Sequence, residues 1–378
     1  MKKNLILISL DTLRADVGYS GKFPTIESLR KKSVSFLNTV SSAPITPISH
    51  ASVFTGLQPY NHGVRHLFKE KLNPKHKTLS ELLKKQGYDT AAIVSCPGMN
   101  KWYGLSKGFD YYNDEISRLP DGTNPLKTVD VKKRGSALKR ADIVVEKAKE
   151  WFANRKSKKP FFLFLHFFDT HWPYEAPEIY GGNNIYEQEV AFADYHLGKF
   201  FEYVKSVVNL DNTTIVCFSD HGEDLEGLYL NDKGGKKLGH PEESGHGCLL
   251  YDQTQKVILT FNDKSLPKNK EIERQVRLVD LTPTVLDLLG VKTSSIKFDG
   301  VSLLSVIKGR NNITPVAYSE TFYPEEQNQS TNNKYPKSKN KKSIRIDNKY
   351  KVIFHMESDM IEVYDLEKDL NEQNNLFL

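Results

Sequence analysis

The chain has 378 residues with a formal net charge of +6 at pH 7, and 38% of its residues are hydrophobic. This length and apolar content suit a large globular enzyme core with an appended lobe, and the small charge with scattered lysines argues against a nucleic-acid partner. The three cysteines are odd in number, so we expect free thiols in a reducing compartment. No window approaches the roughly 20 apolar residues of a membrane span, and we expect a cytoplasmic protein.

Apolar runs and amphipathic stretches alternate along more than half of the chain. Strands are predicted at residues 5–10, 90–95, 161–168 and 214–218. Helices are predicted at residues 24–32, 79–86, 137–154 and 190–208. This alternation is typical of an α/β fold with a large, doubly wound, mostly parallel sheet flanked by helices.

The C-terminal part loses this regularity. A strand at residues 257–261 and a helix at residues 278–289 are followed by strand-like runs at residues 343–354 and 361–366. These runs predict a small antiparallel unit, preceded by a polar, mobile loop at residues 325–342. We therefore predict a catalytic α/β core over residues 1–310 and a C-terminal subdomain over residues 311–378.

The segment around Thr46 is bracketed by Pro44 and Pro47. We predict a helix after Pro47, with Ser49 as its N-cap and Gly56 as its end. A hydroxyl near the N-terminus of a helix faces unpaired N–H groups and the positive end of the helix dipole, which suits phosphate or sulfate. Taken alone, the segment is also compatible with a capped turn that has no chemical role.

Acids and histidines follow three of the predicted strands. Asp11 ends the first strand, Asp169 and His171 follow the strand at residues 161–168, and Asp220 and His221 follow the strand at residues 214–218. Ligands of open α/β sheets bind at the carboxyl ends of the strands. The sequence therefore predicts one common site at this edge of the sheet.

A mixed nitrogen and oxygen ligand set is available at this predicted site. Asp11, Thr46, Asp220 and His221 would suit zinc, manganese, magnesium or calcium. Such an ion would activate the Thr46 hydroxyl as a nucleophile. A second group, which would hold a second ion or orient the substrate and leaving group, consists of Asp169, His171 and His246. We expect structural roles for the remaining candidates, which are Asp16, His50, Asn61, His62, His166 and His240.

Several segments match motifs of one enzyme family. Residues 7–16 resemble its first strand and metal-binding acid, and residues 219–223 resemble its second metal-binding segment. Residues 168–174 resemble its substrate-side His-x-Pro-Tyr motif. Residues 46–56, Thr-Pro-Ile-Ser-His-Ala-Ser-Val-Phe-Thr-Gly, resemble its nucleophile segment, Cys-x-Pro-Ser-Arg-x-x-x-Leu-Thr-Gly. Over nearly its whole length, the chain thus resembles the sulfatase branch of the alkaline phosphatase superfamily.

Three positions depart from the sulfatase pattern. Thr46 stands where the family has the cysteine or serine that becomes formylglycine, and threonine cannot be converted to that aldehyde. His50 replaces the supporting arginine, and Thr12 replaces a second metal-binding aspartate. The chain therefore resembles the threonine-dependent phosphodiesterases and phosphotransferases of the superfamily, and the resemblance implies phosphate esters as substrates.

The resulting prediction is a metal-dependent hydrolase or transferase of phosphate mono- or diesters, or phosphonate esters. Thr46 would form a covalent intermediate, His171 or His246 would serve the leaving group, and one or two divalent ions would bind. The substrate would be a small-molecule, glycan-linked or lipid-linked anionic ester, selected by loops at residues 101–134, 222–247 and 325–342. The alternatives are a sulfuric ester hydrolase without formylglycine and a catalytically silent anion-binding module.

Overall fold

The computed structural model describes residues 2–67, 69–115, 139–172, 174–176, 178–225, 240–241, 245–310, 316–330 and 339–377. Most of the predicted substrate-selecting loops at residues 101–134 and 222–247 therefore lies outside the described residues. The chain forms two compact units, which are described separately below. The first unit comprises Met1–Ser35, Lys77–Ser219 and Leu259–Glu271, and the second comprises Phe36–His76, Asp220–Ile258 and Ile272–Leu378. The domain boundary predicted after residue 310 stays a prediction.

The described strands are β1 (Asn4–Leu10), β2 (Val34–Phe36), β3 (Thr39–Val40), β4 (Asp89–Ile93), β5 (Tyr111–Asn113), β6 (Phe161–Phe167), β7 (Thr213–Phe218), β8 (Lys256–Val257), β9 (Leu259–Asn262), β10 (Lys270–Ile272), β11 (Val276–Arg277), β12 (Val316–Thr321), β13 (Lys341–Ile346), β14 (Tyr350–His355) and β15 (Ile361–Asp365). The described α-helices are α1 (Ala15–Gly18), α2 (Pro24–Lys31), α3 (Thr46–Thr55), α4 (Pro59–His62), α5 (Leu79–Lys85), α6 (Ala141–Asn154), α7 (Ile185–Val207), α8 (Asp252–Gln255), α9 (Leu281–Leu288), α10 (Leu304–Ile307) and α11 (Tyr323–Ser330).

The first unit is built on an eight-stranded sheet with the order β10-β2-β9-β7-β1-β6-β4-β5. The five strands from β7 to β5 pair in parallel, whereas β9 is antiparallel to both β7 and β2. The central strands β1, β6 and β7 consist mostly of apolar residues and are buried along nearly their whole length, because both faces of the sheet are covered. The predicted fold class, a mostly parallel α/β sheet flanked by helices, is confirmed.

Helix α7 begins five residues before its predicted start. The side chain of Asn184 accepts a hydrogen bond from the backbone N–H of Glu187, which caps the helix at Ile185. The prediction followed the apolar periodicity from residue 190 and overlooked this capping pair. Helix α6 packs beside α7 and starts at Ala141.

The second unit contains a small three-stranded sheet, β11-β3-β8, and a four-stranded antiparallel sheet, β12-β13-β14-β15. The antiparallel sheet confirms the predicted C-terminal unit, although the sequence analysis missed β12. The strand predicted at residues 257–261 is two strands, β8 and β9, which pair in different sheets. The loop predicted at residues 325–342 is wrong at both ends, since α11 covers Tyr323–Ser330 and β13 starts at Lys341. The middle of this predicted loop, residues 331–338, lies outside the described residues. The helix predicted at residues 278–289 begins with a 3₁₀ turn, Leu278–Asp280.

A buried polar network ties the antiparallel sheet to the segment before β8. Tyr251 and Tyr364 both donate hydrogen bonds to Glu362 Oε2, and His355 Nε2 contacts Glu362 Oε1. Burial alone would raise the pKa of Glu362, but these hydrogen bonds lower it to about 2. The ionised carboxylate is therefore the form that stabilises this part of the fold.

Because the pKa of Glu362 is low, we expect the stability of the protein to fall in acid. We expect Glu362→Gln to lack this dependence on pH. Ionised Glu362 contributes its stabilisation fully above the unfolded pKa near 4.5 and loses it as the pH falls towards 2. We expect the free energy of unfolding of the wild type to exceed that of Glu362→Gln by roughly 2–3 kcal/mol at pH 7. This difference should shrink as the pH falls towards 2. Urea unfolding of both proteins across this range measures the difference. The control is Glu367→Gln, at an exposed position; a pH-independent difference for Glu362→Gln would contradict the prediction.

Candidate functional site

Helix α3 places Thr46 at its first residue, and all ten residues of the helix are buried. The predicted start at Ser49 is wrong because Pro47 lies within the first turn, where its missing N–H costs no helical hydrogen bond. The predicted end is confirmed: Gly56 is left-handed with φ 66°, and an added Cβ would lie 2.6 Å from the Phe298 ring. The Thr46 hydroxyl thus belongs to the N-terminal turn of a helix enclosed by protein.

Three predicted metal ligands of the second unit lie together at this helix terminus. Thr46 Oγ1 is 3.3 Å from His221 Nε2, which is 3.5 Å from Asp220 Oδ2. Ligands bound about 2.0–2.2 Å from one ion lie about 3.0–3.5 Å from each other. The spacing and the donor types therefore fit a divalent ion held by Asp220 and His221 next to the Thr46 hydroxyl.

The hydrogen bonds of His221 determine which ring nitrogen can bind a metal. Nδ1 donates to the carbonyl oxygen of Gly222 at 2.9 Å, so Nδ1 carries the hydrogen. In neutral imidazole this leaves the lone pair on Nε2, the atom that faces Thr46. A backbone carbonyl that fixes the tautomer in this way is a common feature of metal-binding histidines.

The backbone around Asp220 is held by hydroxyl groups. Ser41 Oγ and Ser49 Oγ both donate to the Asp220 carbonyl oxygen, at 2.5 Å and 2.8 Å. His50 Nδ1 donates to the Thr46 carbonyl at 2.8 Å and lies 3.5 Å from Asp220 Oδ2. These contacts join helix α3 to the segment that begins at Asp220.

His246 lies beside His221 in the same unit. The two ring centroids are 4.4 Å apart, and His246 Nδ1 donates to Glu223 Oε1 at 2.9 Å. Burial, and then the neighbouring His221 ring, lower the pKa of His246 well below its usual value. Glu223 is fully buried and was given no role from the sequence, although it lies only two residues after His221. Of the predicted site residues, the structure thus brings Thr46, Asp220, His221 and His246 together.

Asp11 follows β1 in the first unit and contacts His166, for which a structural role was predicted. His166 Nε2, on β6, is 3.1 Å from Asp11 Oδ2, and both side chains are fully buried. The next residue, Thr12, has φ 55°, which is unusual for a β-branched residue and costs of order 1–3 kcal/mol. This turn is held by Thr12 Oγ1, which donates to the Thr170 carbonyl, and by Tyr186, which donates to the Thr12 carbonyl.

Asp169 and His171 follow β6, as predicted, but their side chains have different surroundings. Asp169 Oδ1 accepts a hydrogen bond from the Ala141 N–H at the start of α6 and lies 3.4 Å from Arg140 Nε. Burial raises its pKa to about 6, against the opposing effect of Arg140. His171 stacks on Phe168 with ring centroids 4.1 Å apart. Metal binding by Asp169 and leaving-group chemistry by His171 stay predictions.

The sequence also matches family models over nearly its whole length. The Sulfatase model matches residues 3–291, and a model of the N-sulphoglucosamine sulphohydrolase C-terminal region matches residues 247–378. The chain belongs to the sulfatase family. It is accordingly an ester hydrolase of a metal-dependent family.

Several known proteins are similar to this sulfatase-family chain. A sulfatase of Formosa agariphila is 24% identical, covering 99% of this chain and 83% of the relative. A protein solved in complex with its substrate, D-glucosamine-2-N,6-O-disulfate, has a TM-score of 0.76 and 18% identity, covering 100% of this chain and 94% of that chain. A phosphonate monoester hydrolase of Agrobacterium radiobacter has a TM-score of 0.74 and 19% identity, covering 99% of this chain and 91% of that chain. At identities of 18% and 19%, these two structures support the fold of this sulfatase-family member and nothing further.

None of the helices within the described ranges is long and apolar enough to cross a membrane.

Proposed function

We propose that this sulfatase-family hydrolase cleaves phosphate or phosphonate esters with Thr46 as its nucleophile. The observation that supports this most directly is the position of Thr46 Oγ1, at the N-terminus of a buried helix and 3.3 Å from His221 Nε2. A helix N-terminus stabilises the negative charge of a tetrahedral phosphoryl group. The threonine hydroxyl is itself the attacking group, because this side chain cannot give formylglycine.

The reaction proceeds by two displacements at phosphorus. Thr46 Oγ attacks in line with the leaving group, so that an Oγ–P bond forms while the bond from phosphorus to the leaving oxygen breaks. The Thr46 hydroxyl gives up its proton to His246 Nε2 or to solvent as it attacks, and the leaving oxygen takes up a proton as it departs. Water, or an acceptor alcohol if the enzyme is a transferase, then attacks phosphorus and returns Thr46 to its hydroxyl form.

We propose that Asp220 and His221 hold a divalent ion, with Asp11 as the third ligand expected from the sequence. Asp11 is included because β1 and β7 are parallel neighbours, with Ser9 opposite Phe218, and Asp11 and Asp220 each follow two residues later. The ion would lower the pKa of the Thr46 hydroxyl and neutralise charge on the phosphoryl oxygens. The protein contributes the fixed Nε2 tautomer of His221 and the buried carboxylates.

His246 is the proposed residue for proton transfer at the leaving group. Its Nδ1–H is engaged by Glu223, which orients the ring and leaves Nε2 to take or pass a proton. His171, a half-buried residue after β6, is the second candidate for this role. An anionic sugar ester is a plausible substrate class by analogy with the relative solved with a sulfated glucosamine.

A second candidate function is the hydrolysis of sulfate esters. It is favoured by the family match and by the sulfatase names of similar proteins. The site geometry suits either tetrahedral anion, so the substrate class must be decided by turnover.

A substrate panel tests the proposed function. The purified protein, supplied in turn with zinc, manganese, magnesium and calcium, is assayed on an aryl phosphate, a bis-aryl phosphate, an aryl phosphonate and an aryl sulfate. We expect the highest kcat/KM on a phosphodiester or phosphonate ester. Hydrolysis of the aryl sulfate alone would support the sulfatase alternative and overturn the phosphate assignment. Binding of these anions without turnover under any of the ions would support a silent binding module.

A further inference from the structure

A second group of metal-binding side chains lies entirely within the first unit. Asp11, Cys96 and His166 are each exposed by 3% or less, and their ligand atoms all lie within 4.8 Å of one another. They belong to three adjacent strands or the segments that follow them, since β1, β6 and β4 are consecutive neighbours in the sheet. An oxygen, a nitrogen and a sulfur ligand are thus collected in one buried place.

The hydrogen bonds of Ser95 indicate which ring nitrogen of a neutral His166 carries the hydrogen. Ser95 Oγ donates its only hydrogen to the His166 carbonyl oxygen, and the same Oγ is 2.9 Å from His166 Nδ1. Nδ1 must therefore carry a hydrogen and donate it to Ser95 Oγ. In neutral imidazole, the lone pair is then on Nε2, which is 3.1 Å from Asp11 Oδ2.

Two atoms that both carry lone pairs repel at this distance unless a cation lies between them. Ligands of one ion at about 2.0–2.2 Å lie about 3.0–3.5 Å apart, so a separation of 3.1 Å fits two ligands on the same ion.

We propose that Asp11, Cys96 and His166 form a second divalent metal site that favours zinc. A thiolate and an imidazole select zinc over magnesium or calcium. The Cys96 thiol loses its proton to solvent when the ion binds, and the thiolate forms the bond to the metal. Asp11 would be shared with the ion that the proposed function assigns to Asp220 and His221.

This site differs from the second-ion group that the sequence predicted, Asp169, His171 and His246. It also does not depend on Thr46 as a nucleophile, since none of its ligands takes part in the covalent step. The competing explanation is a protonated His166 that donates from Nε2 to Asp11, which would need no metal. The metal site predicts a bound ion with a bond to the Cys96 sulfur, whereas the protonated histidine predicts neither.

The first test uses the wild-type protein and needs no variant. The metal-free chain is titrated with cobalt(II), bound metal per chain is counted by elemental analysis, and the thiolate-to-cobalt charge-transfer absorption is recorded. We expect two ions per chain and a thiolate band. Bound cobalt without a thiolate band would overturn the proposal in favour of the protonated histidine. A single ion with a thiolate band would support this site and count against the ion assigned to Asp220 and His221.

Variants identify the ligands. Cys96→Ser should lose the thiolate band and bind one of its two ions at least about tenfold more weakly, and His166→Gln should lose one ion. Cys217→Ser is the matched control, because Cys217 is equally buried but lies within β7. A thiolate band that persists in Cys96→Ser would also overturn the proposal. Thr46→Ala should keep both ions, so a failure of the proposed nucleophile and a failure of this site give different results.

Discussion

Thr46→Ala is expected to lower kcat on the best panel substrate by at least about 10⁴-fold, with the fold and the bound metal retained. The reason is that Thr46 supplies the atom that bonds to phosphorus, whereas the ion is held by other side chains. Turnover assays, elemental analysis and thermal unfolding of the same preparation measure the three quantities.

Two control variants separate the hydroxyl from its surroundings. Thr46→Ser keeps the hydroxyl and should retain activity within about tenfold of the wild type. Thr55→Ala removes a buried threonine at the other end of α3, where Oγ1 donates to the Ala51 carbonyl, and should leave kcat nearly unchanged. Wild-type activity in Thr46→Ala would disprove the nucleophile assignment.

His221→Gln is expected to lose one bound divalent ion per chain and on the order of 10³-fold in kcat/KM. The imidazole Nε2 faces Thr46 in a fixed tautomer, and the glutamine amide is a weaker ligand that cannot reproduce this contact. Metal analysis after gel filtration and a metal-dependence curve of activity measure both effects.

The matched control for this prediction is His62→Gln. His62 is also fully buried, but its Nε2 bonds to Ser52 Oγ, and burial lowers its pKa to about 3. This variant should change stability without changing metal content. Retention of metal and activity by His221→Gln would exclude His221 from the ligand set.

The sequence predicted the sheet well because the central strands are buried on both faces. Mostly apolar runs such as β1 and β6 are typical of strands that are buried on both faces of an α/β sheet. Helix starts were less predictable, since they depend on single local contacts. The start of α7 depends on the Asn184 cap, and α3 starts early enough to include Pro47 in its first turn. Neither feature can be predicted from the spacing of the apolar residues.

The site was predictable only where its residues follow strands or motifs. Thr46, Asp220 and His221 were found in this way. By contrast, the contact between His166 and Asp11 joins positions 155 residues apart in sequence, and only the β1–β6 pairing brings them together. His166 lies within an apolar strand, so its sequence context resembles that of a structural core histidine. Glu223 was overlooked because its contact is a hydrogen bond to His246, 23 residues later in the sequence.

The left-handed turn at Thr12 also bears on how the site could be redesigned. Aspartate and asparagine adopt this backbone conformation more readily than a β-branched residue does. Thr12 is held in place by the contacts of its hydroxyl and carbonyl groups with Thr170 and Tyr186. An ionised aspartate would suit the backbone angles, but it has no hydrogen to donate to the Thr170 carbonyl. It would also place a second buried negative charge next to Asp11, so the hydroxyl donor of Thr12 makes position 12 sensitive to a change of charge.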